Sequence, residues 1–122
     1  MKKNRLYKAL LYAIDGIVYI YKYERNAKMH IVLTIIAVIL AILLKFSPIE
    51  YVILVIMSTL ILTLEMMNTA LEKTVDLTTN NQFHQLAKHA KDIAAGAVFI
   101  STIAALIIAC FLYIPKIIAL LT

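Results

Sequence analysis

Long uncharged runs divide the chain into segments that predict membrane-spanning helices. Residues 93–115 form a run of 23 residues without a charged side chain, long enough to cross about 30 Å of hydrocarbon as a helix. Two shorter uncharged runs, 31–44 and 51–64, are separated by a turn that contains Pro48 and has charges on both sides. The pattern predicts a helical hairpin followed by a third span, with spans at about 29–46, 50–72 and 92–115.

The segment before the first span, about residues 5–24, has the pattern of an amphipathic helix. Polar side chains recur at steps of three and four, while apolar side chains fall on the other faces. The polar series is Arg5, Lys8, Tyr12, Asp15, Tyr19, Lys22 and Asn26. Such a surface helix either rests on anionic lipid or lends its polar face to a binding site, and the pattern leaves both interpretations open.

Composition supports a membrane protein. Hydrophobic residues make up 63% of the 122 residues, and the mean hydropathy is +0.90, more than a soluble domain of this size can bury. The length allows one domain, residues 1–122, of all-α class. The single cysteine, Cys110, lies in an apolar run, excludes an intrachain disulfide and is interpreted as small apolar filler.

Basic residues are distributed unevenly between the predicted loops. Of the 12 Lys and Arg residues, all but Lys45 and Lys116 lie before the first span or between the second and third. Under the positive-inside rule this split predicts a cytoplasmic N-terminus, three crossings and an external C-terminus. Residues 79–91 are polar and basic, which predicts a cytoplasmic loop and helix entry that lead into the third span.

Four acidic or amide side chains follow the second uncharged run at helical spacing. Glu65, Asn68, Glu72 and Asp76 are separated by steps of three and four, which places them on one helix face. A helix entering the bilayer near Tyr51 brings Glu65 roughly 10 Å inside the opposite boundary and Glu72 to that boundary. Ionisable groups at such depth indicate function, although a polar helix edge paired with Lys and Arg would show the same pattern.

This geometry suits a base acting on a lipid head-group hydroxyl beside a cation site open to water. The chain has only two glycines, Gly16 and Gly96, so neither a Walker loop nor a dinucleotide fingerprint is possible. From the residues alone a lipid enzyme and a small cation channel or transporter both remain open, as does a non-catalytic membrane subunit. The ionisable groups cluster at one interface and are not spread through the depth of the bilayer, which favours the enzyme over the channel or transporter.

Three sequence blocks resemble those of a known family. Residues 65–76 (EMMNTALEKTVD) and 90–98 (AKDIAAGAV) are similar to the two signature blocks of the prokaryotic diacylglycerol kinase and undecaprenol kinase family. Residues 24–26 (ERN) with His30 resemble a third block, and the similarity extends from Arg5 to the final span. The resemblance implies a homotrimer of three-span protomers in the bacterial plasma membrane, with a surface helix on each protomer and active sites shared between neighbours. It implies ATP, a membrane lipid alcohol and Mg²⁺ as ligands, and no nucleic acid.

The resemblance also implies roles for individual residues. Glu65 matches the catalytic base that deprotonates the lipid hydroxyl, with Asn68 positioned one turn away, and Glu24 and Glu72 match the carboxylates that bind Mg²⁺ against the nucleotide. The remaining matches are to residues that contact nucleotide or lipid: Lys91, Asp92, His84, Tyr12 and Arg5. His30 and His89 are interpreted as interfacial or solvated histidines.

Details within the blocks resemble the Gram-positive branch of the family. These are residues 68–70 (NTA) and 94–96 (AAG). The members of that branch are mainly undecaprenol kinases, so phosphorylation of undecaprenol is favoured over phosphorylation of diacylglycerol. Ala27 replaces an aromatic residue of the family pattern, and the loop between Asp76 and His84 is one residue longer than in proteobacterial members.

Overall fold

The computed structural model describes residues 2–122, which form four α-helices. These are α1 (Lys2–Tyr23), α2 (Arg25–Leu43), α3 (Pro48–Thr79) and α4 (Gln85–Leu121). The last three are long and apolar enough to cross a membrane. The all-α class and the order of one N-terminal helix followed by three apolar helices are confirmed.

Two helices are longer than the spans predicted within them. Helix α3 continues to Thr79, beyond the predicted span limit at 72, and α4 begins at Gln85, before the predicted span start at 92. Within residues 79–91, predicted as a loop and helix entry, residues 80–84 connect α3 to α4 and residues 85–91 form the first turns of α4. A helix that extends beyond the hydrocarbon needs no apolar face, so hydrophobicity does not mark its end.

A single extended residue separates α1 from α2. Glu24 has φ −102° and ψ 116°, outside the helical region. Its N–H still donates to the Ile20 carbonyl at 2.9 Å, and its own carbonyl accepts from the Lys28 N–H at 3.2 Å. The main-chain hydrogen bonds therefore continue across Glu24. We call this break between α1 and α2 the corner. Asn26 consequently belongs to α2, and not to the polar face of α1 as its spacing had suggested.

The turn between α2 and α3 is tight and capped. Lys45 adopts a left-handed conformation with φ 56°, and Ser47 and Glu50 form a capping box at the start of α3. The Ser47 N–H donates to Glu50 Oε2 at 2.7 Å, and Pro48 occupies the first turn, where its missing N–H has no cost. We call this end of the bundle, residues 44–50, the hairpin end.

Aromatic packing joins α4 to the hairpin end. Phe46 is buried, and its ring centroid lies 4.8 Å from that of Tyr113. The Tyr113 hydroxyl donates to the Ala37 carbonyl of α2 at 2.6 Å, and Lys116 Nζ lies 3.1 Å from Glu50 Oε2. These contacts fix the ends of α2, α3 and α4 relative to one another.

We expect Tyr113→Phe to lower thermal stability, because it removes a hydrogen bond between α4 and α2 while keeping the ring. Hydrogen bonds between helices in membranes contribute about 0.5–2 kcal/mol. Thermal unfolding of the purified protein in detergent measures the loss. Tyr7→Phe, at an exposed position on α1, is the matched control and should leave the midpoint unchanged. Equal midpoints for both variants would contradict the assigned role of this hydrogen bond.

Few apolar side chains are buried within one protomer. Those buried among the described residues are Ile20, Ala27, Ala41, Phe46 and Val98. Helix α3 packs against both α2 and α4, whereas α1 packs mainly on α2. Large apolar side chains on all four helices remain exposed, as expected of a surface that hydrocarbon or other subunits cover.

Candidate active site

The polar row of α3 runs from a buried to a half-exposed environment. Glu65 and Asn68 are only 4% and 8% exposed, whereas Glu72 and Asp76 are intermediate. The row lies in the half of α3 away from the hairpin end, beside the corner at Glu24. We call this region of the bundle the carboxylate end.

Glu65 faces a histidine on α2. Its Oε2 lies 3.8 Å from His30 Nε2, and the side chains are 5% and 12% exposed, respectively. Glu24, Asn26 and Glu72 also lie close enough to act on the Glu65 carboxylate. A buried carboxylate thus stands at the centre of a polar group contributed by the corner, α2 and α3.

Asn68 lies between Glu65 and Glu72 in the polar row of α3 and bonds to Glu72. Its Nδ2 donates to Glu72 Oε1 at 3.1 Å, which orients that carboxylate. The Asn68 Oδ1 atom is buried and has no hydrogen-bond partner among the described residues. Since a buried acceptor without a partner costs free energy, this atom indicates a place for a ligand, water or cation.

The corner residue Glu24 is held by a lysine of α3. Lys73 Nζ lies 3.5 Å from Glu24 Oε1 and 5.1 Å from the centroid of the Tyr19 ring on α1. Because the Glu24 side chain makes no capping bond to α2, it is free to reach this partner. The contact holds the end of α1 against α3 and joins Glu24 to the residue that follows Glu72 in α3.

A second polar group surrounds the turn between α3 and α4. Its cavity of about 330 Å³ is lined by Asp76, His84, Lys88, Lys91 and Asp92, among others. Lys91 forms an ion pair with Asp76, and Lys88 forms one with Asp92 at 2.6 Å. His84 caps α4 through Nδ1, which accepts from the Leu86 N–H. Asp76 lies one turn beyond Glu72, about 6 Å along α3, so the two polar groups adjoin.

Two of the residues singled out by resemblance lie outside both groups. Arg5 and Tyr12 are exposed on α1, Tyr12 at 70%. Neither forms a side-chain hydrogen bond or ion pair with any residue in the range 2–122. The fold of the chain therefore gathers Glu24, Glu65, Asn68 and Glu72 in one group and His84, Lys91 and Asp92 in the other, and leaves Arg5 and Tyr12 apart.

Two members of the first group, His30 and Lys73, are not predicted by the sequence. His30 was interpreted as an interfacial histidine, yet it is the side chain that pairs with Glu65. Lys73 lies within the block 65–76, where nothing in the sequence assigns it a role, and it pairs with Glu24. The spacing of Asn26 and His30, one turn apart on α2, was the available signal for His30, once the helix break at Glu24 was known.

Comparison with known proteins decides the family. The family model described as prokaryotic diacylglycerol kinase matches residues 11–113. The chain belongs to the prokaryotic diacylglycerol kinase family. This is a family of bacterial membrane lipid kinases.

Relatives in this family carry two names. The chain is 40% identical over 110 residues to a diacylglycerol kinase of Synechocystis sp., an alignment that covers 90% of this chain and 63% of that protein. It is 38% identical over 113 residues to the undecaprenol kinase of Bacillus subtilis, covering 93% and 91% respectively. A diacylglycerol kinase of Helicobacter pylori is 35% identical over 100 residues, covering 82% and 77%. Because the identities to diacylglycerol kinases and to the undecaprenol kinase are similar, they do not show which of the two lipids this chain acts on.

Proposed function

We propose that this protein phosphorylates the hydroxyl of a membrane lipid alcohol with ATP, and that the alcohol is undecaprenol. The observation that carries the proposal is the buried Glu65 carboxylate, placed in an apolar helix and about 15 Å along α3 from the polar cavity at the α3–α4 turn. A base at that position reaches a hydroxyl held at the edge of the hydrocarbon, while a soluble nucleotide approaches from beyond it. Family membership supports the same chemistry.

Glu65 is the general base in this mechanism. It accepts the proton of the lipid hydroxyl as the oxygen attacks the γ-phosphorus, and the bond from that phosphorus to the bridging oxygen of ADP breaks. Because phosphoryl transfer depends mainly on positioning and charge neutralisation, the protein needs few groups. The partnerless Asn68 Oδ1 is suited to accept a hydrogen bond from the substrate or an ordered water.

The residues at the carboxylate end fit Mg²⁺. No group of three or more His, Cys, Asp or Glu side chains suited to a metal occurs in residues 2–122. Mg²⁺ requires less than that, since it is commonly bound by one or two carboxylates together with substrate phosphates and water. Glu24 and Glu72 would hold it, with the free Asn68 Oδ1 nearby. When bound, the ion neutralises charge on the nucleotide phosphates.

Lys91, Asp92 and His84 are proposed to bind the nucleotide. All three line the cavity at the α3–α4 turn. In the protomer Lys91 pairs with Asp76 and Asp92 pairs with Lys88, so nucleotide binding exchanges these ion pairs for contacts with ATP. Exposed pairs of this kind are weak and are readily exchanged.

A homotrimer with shared sites is proposed to explain Arg5 and Tyr12. Both are exposed on α1 and contact neither polar group of their own protomer. In the proposed assembly α1 is an amphipathic surface helix that presents them to the nucleotide and lipid of a neighbouring subunit. The distribution of Lys and Arg supports a cytoplasmic N-terminus, which places the carboxylate end on the side of the membrane where ATP is available.

The proposed preference for undecaprenol rests on sequence features. The segments 68–70 and 94–96 resemble the Gram-positive branch, and the Bacillus subtilis undecaprenol kinase matches along 91% of its length. Diacylglycerol is the alternative acceptor. The chemistry at Glu65 is the same for both, since each offers one hydroxyl at the membrane boundary.

To test this proposal, purified protein in detergent is incubated with labelled ATP and Mg²⁺, with undecaprenol or diacylglycerol as the acceptor in parallel reactions. We expect label in extracted undecaprenyl phosphate at a higher kcat/KM than in phosphatidate. The reverse preference would keep the mechanism and overturn the substrate assignment. No labelled lipid from folded protein would overturn the kinase proposal, and cation flux across liposomes without ATP would then identify a channel.

A further inference from the structure

His30 has an environment that an interfacial histidine would not have. Its imidazole is 12% exposed, and within residues 2–122 Glu65 is the acidic group at ion-pair distance from it. The ring also lines a groove of about 220 Å³ between α2, α3 and α4, whose other lining side chains are mostly apolar. Because that groove is mostly apolar, the ionisable partner of the ring among residues 2–122 is the Glu65 carboxylate.

The surrounding charges explain why Glu65 needs this partner. Glu24 and Glu72 both act on the Glu65 carboxylate, and they add negative charge to a site that water barely reaches. The nearby cation Lys73 is directed at Glu24. His30 and the Asn26 amide therefore supply the polar partners that a buried carboxylate requires, and His30 is the one that can carry a positive charge.

We propose that His30 is a positioning residue for Glu65. Its Nε2–H holds Glu65 Oε2 and leaves Oε1 to face the lipid hydroxyl. The inference rests on the proposed function, because it assigns His30 a purpose in the same proton transfer. His30 affects the reaction by holding Glu65 and does not contact the nucleotide.

Three substitutions separate positioning from packing. His30→Ala removes the ring, His30→Leu restores volume without a donor, and His30→Gln keeps an N–H donor on a side chain of similar reach. We expect kcat to fall by about 10- to 100-fold in His30→Ala and His30→Leu, in line with the loss of an oriented base, and to recover substantially in His30→Gln. The KM for ATP should stay unchanged in all three.

A second variant tests whether His30 acts through Glu65. In a Glu65→Gln background, His30→Ala should cause little further loss of kcat, because residues that act as a unit are not additive. Size-exclusion chromatography and thermal unfolding establish that each variant is folded. Recovery in His30→Leu equal to that in His30→Gln would assign a packing role and overturn the proposal, as would wild-type kcat in His30→Ala.

A spectroscopic measurement gives a readout without turnover. The chain has three histidines, His30, His84 and His89, so ¹⁵N-histidine NMR yields few imidazole signals, and the His30 signal is identified by its loss in His30→Gln. We expect that signal to shift in Glu65→Gln while the other two stay in place. A stationary His30 signal would overturn the contact. Wild-type protein that phosphorylates no lipid while this signal shifts would instead locate the failure in the proposed function.

Discussion

Glu65→Gln should lower lipid phosphorylation by about 10²- to 10⁴-fold, the range associated with loss of a general base. Glutamine keeps the size of the side chain and cannot take the proton of the hydroxyl. ATP binding and assembly should be largely retained, because Glu65 is buried beside His30 and lies outside the cavity at the α3–α4 turn. Incorporation of labelled phosphate into extracted lipid measures the effect.

Glu50→Gln is the matched control for this experiment. It makes the same chemical change in the same helix, at the hairpin end, where Glu50 caps α3 and pairs with Lys116. The control should lose some thermal stability and keep its activity per folded protein. Unchanged turnover in Glu65→Gln would remove Glu65 from the role of base.

Glu72→Gln should shift the Mg²⁺ requirement to at least about 10-fold higher concentration, the scale on which changes near a metal ligand act. The substitution removes charge, while its amide oxygen can still accept from Asn68 Nδ2, so the local geometry of α3 is preserved. Activity titrated against Mg²⁺ at saturating ATP and lipid measures the shift.

Asp15→Asn, which neutralises an exposed carboxylate of α1, is the control for Glu72→Gln. Its titration curve should coincide with that of the wild type. A wild-type curve in Glu72→Gln would exclude Glu72 from the metal site, whereas a reduced plateau with an unchanged midpoint would place it in catalysis without metal binding.

The hydrophobic pattern predicted the architecture because the membrane constrains it so strongly. A run such as 93–115 has few alternatives to a helix once its backbone must satisfy its own hydrogen bonds. The boundary of α4 was harder to predict, since residues 85–91 lie beyond the uncharged run and their polarity resembles that of a loop. The corner at Glu24 carried no glycine or proline to mark it.

The candidate site was predictable along one helix and less so between helices. Spacing alone placed Glu65, Asn68 and Glu72 together, and resemblance added Glu24 from a different segment. The pairing of His30 with Glu65 depends on how α2 packs on α3, and the pairing of Lys73 with Glu24 depends on the corner. Neither follows from periodicity within a single element.

The distance between the two ends of α3 has a consequence for the sidedness of the reaction. Glu65 lies fifteen residues beyond Glu50, about 22 Å along the helix. At the hairpin end, α4 packs on the turn through Phe46 and Tyr113, and Lys116 pairs with Glu50. In the proposed reaction, a phosphate added at the carboxylate end would stay in the leaflet that supplied the alcohol, because the hydrocarbon opposes passage of its charge. On the proposed reaction, translocation of the phosphorylated lipid to the opposite leaflet would be left to a separate transporter.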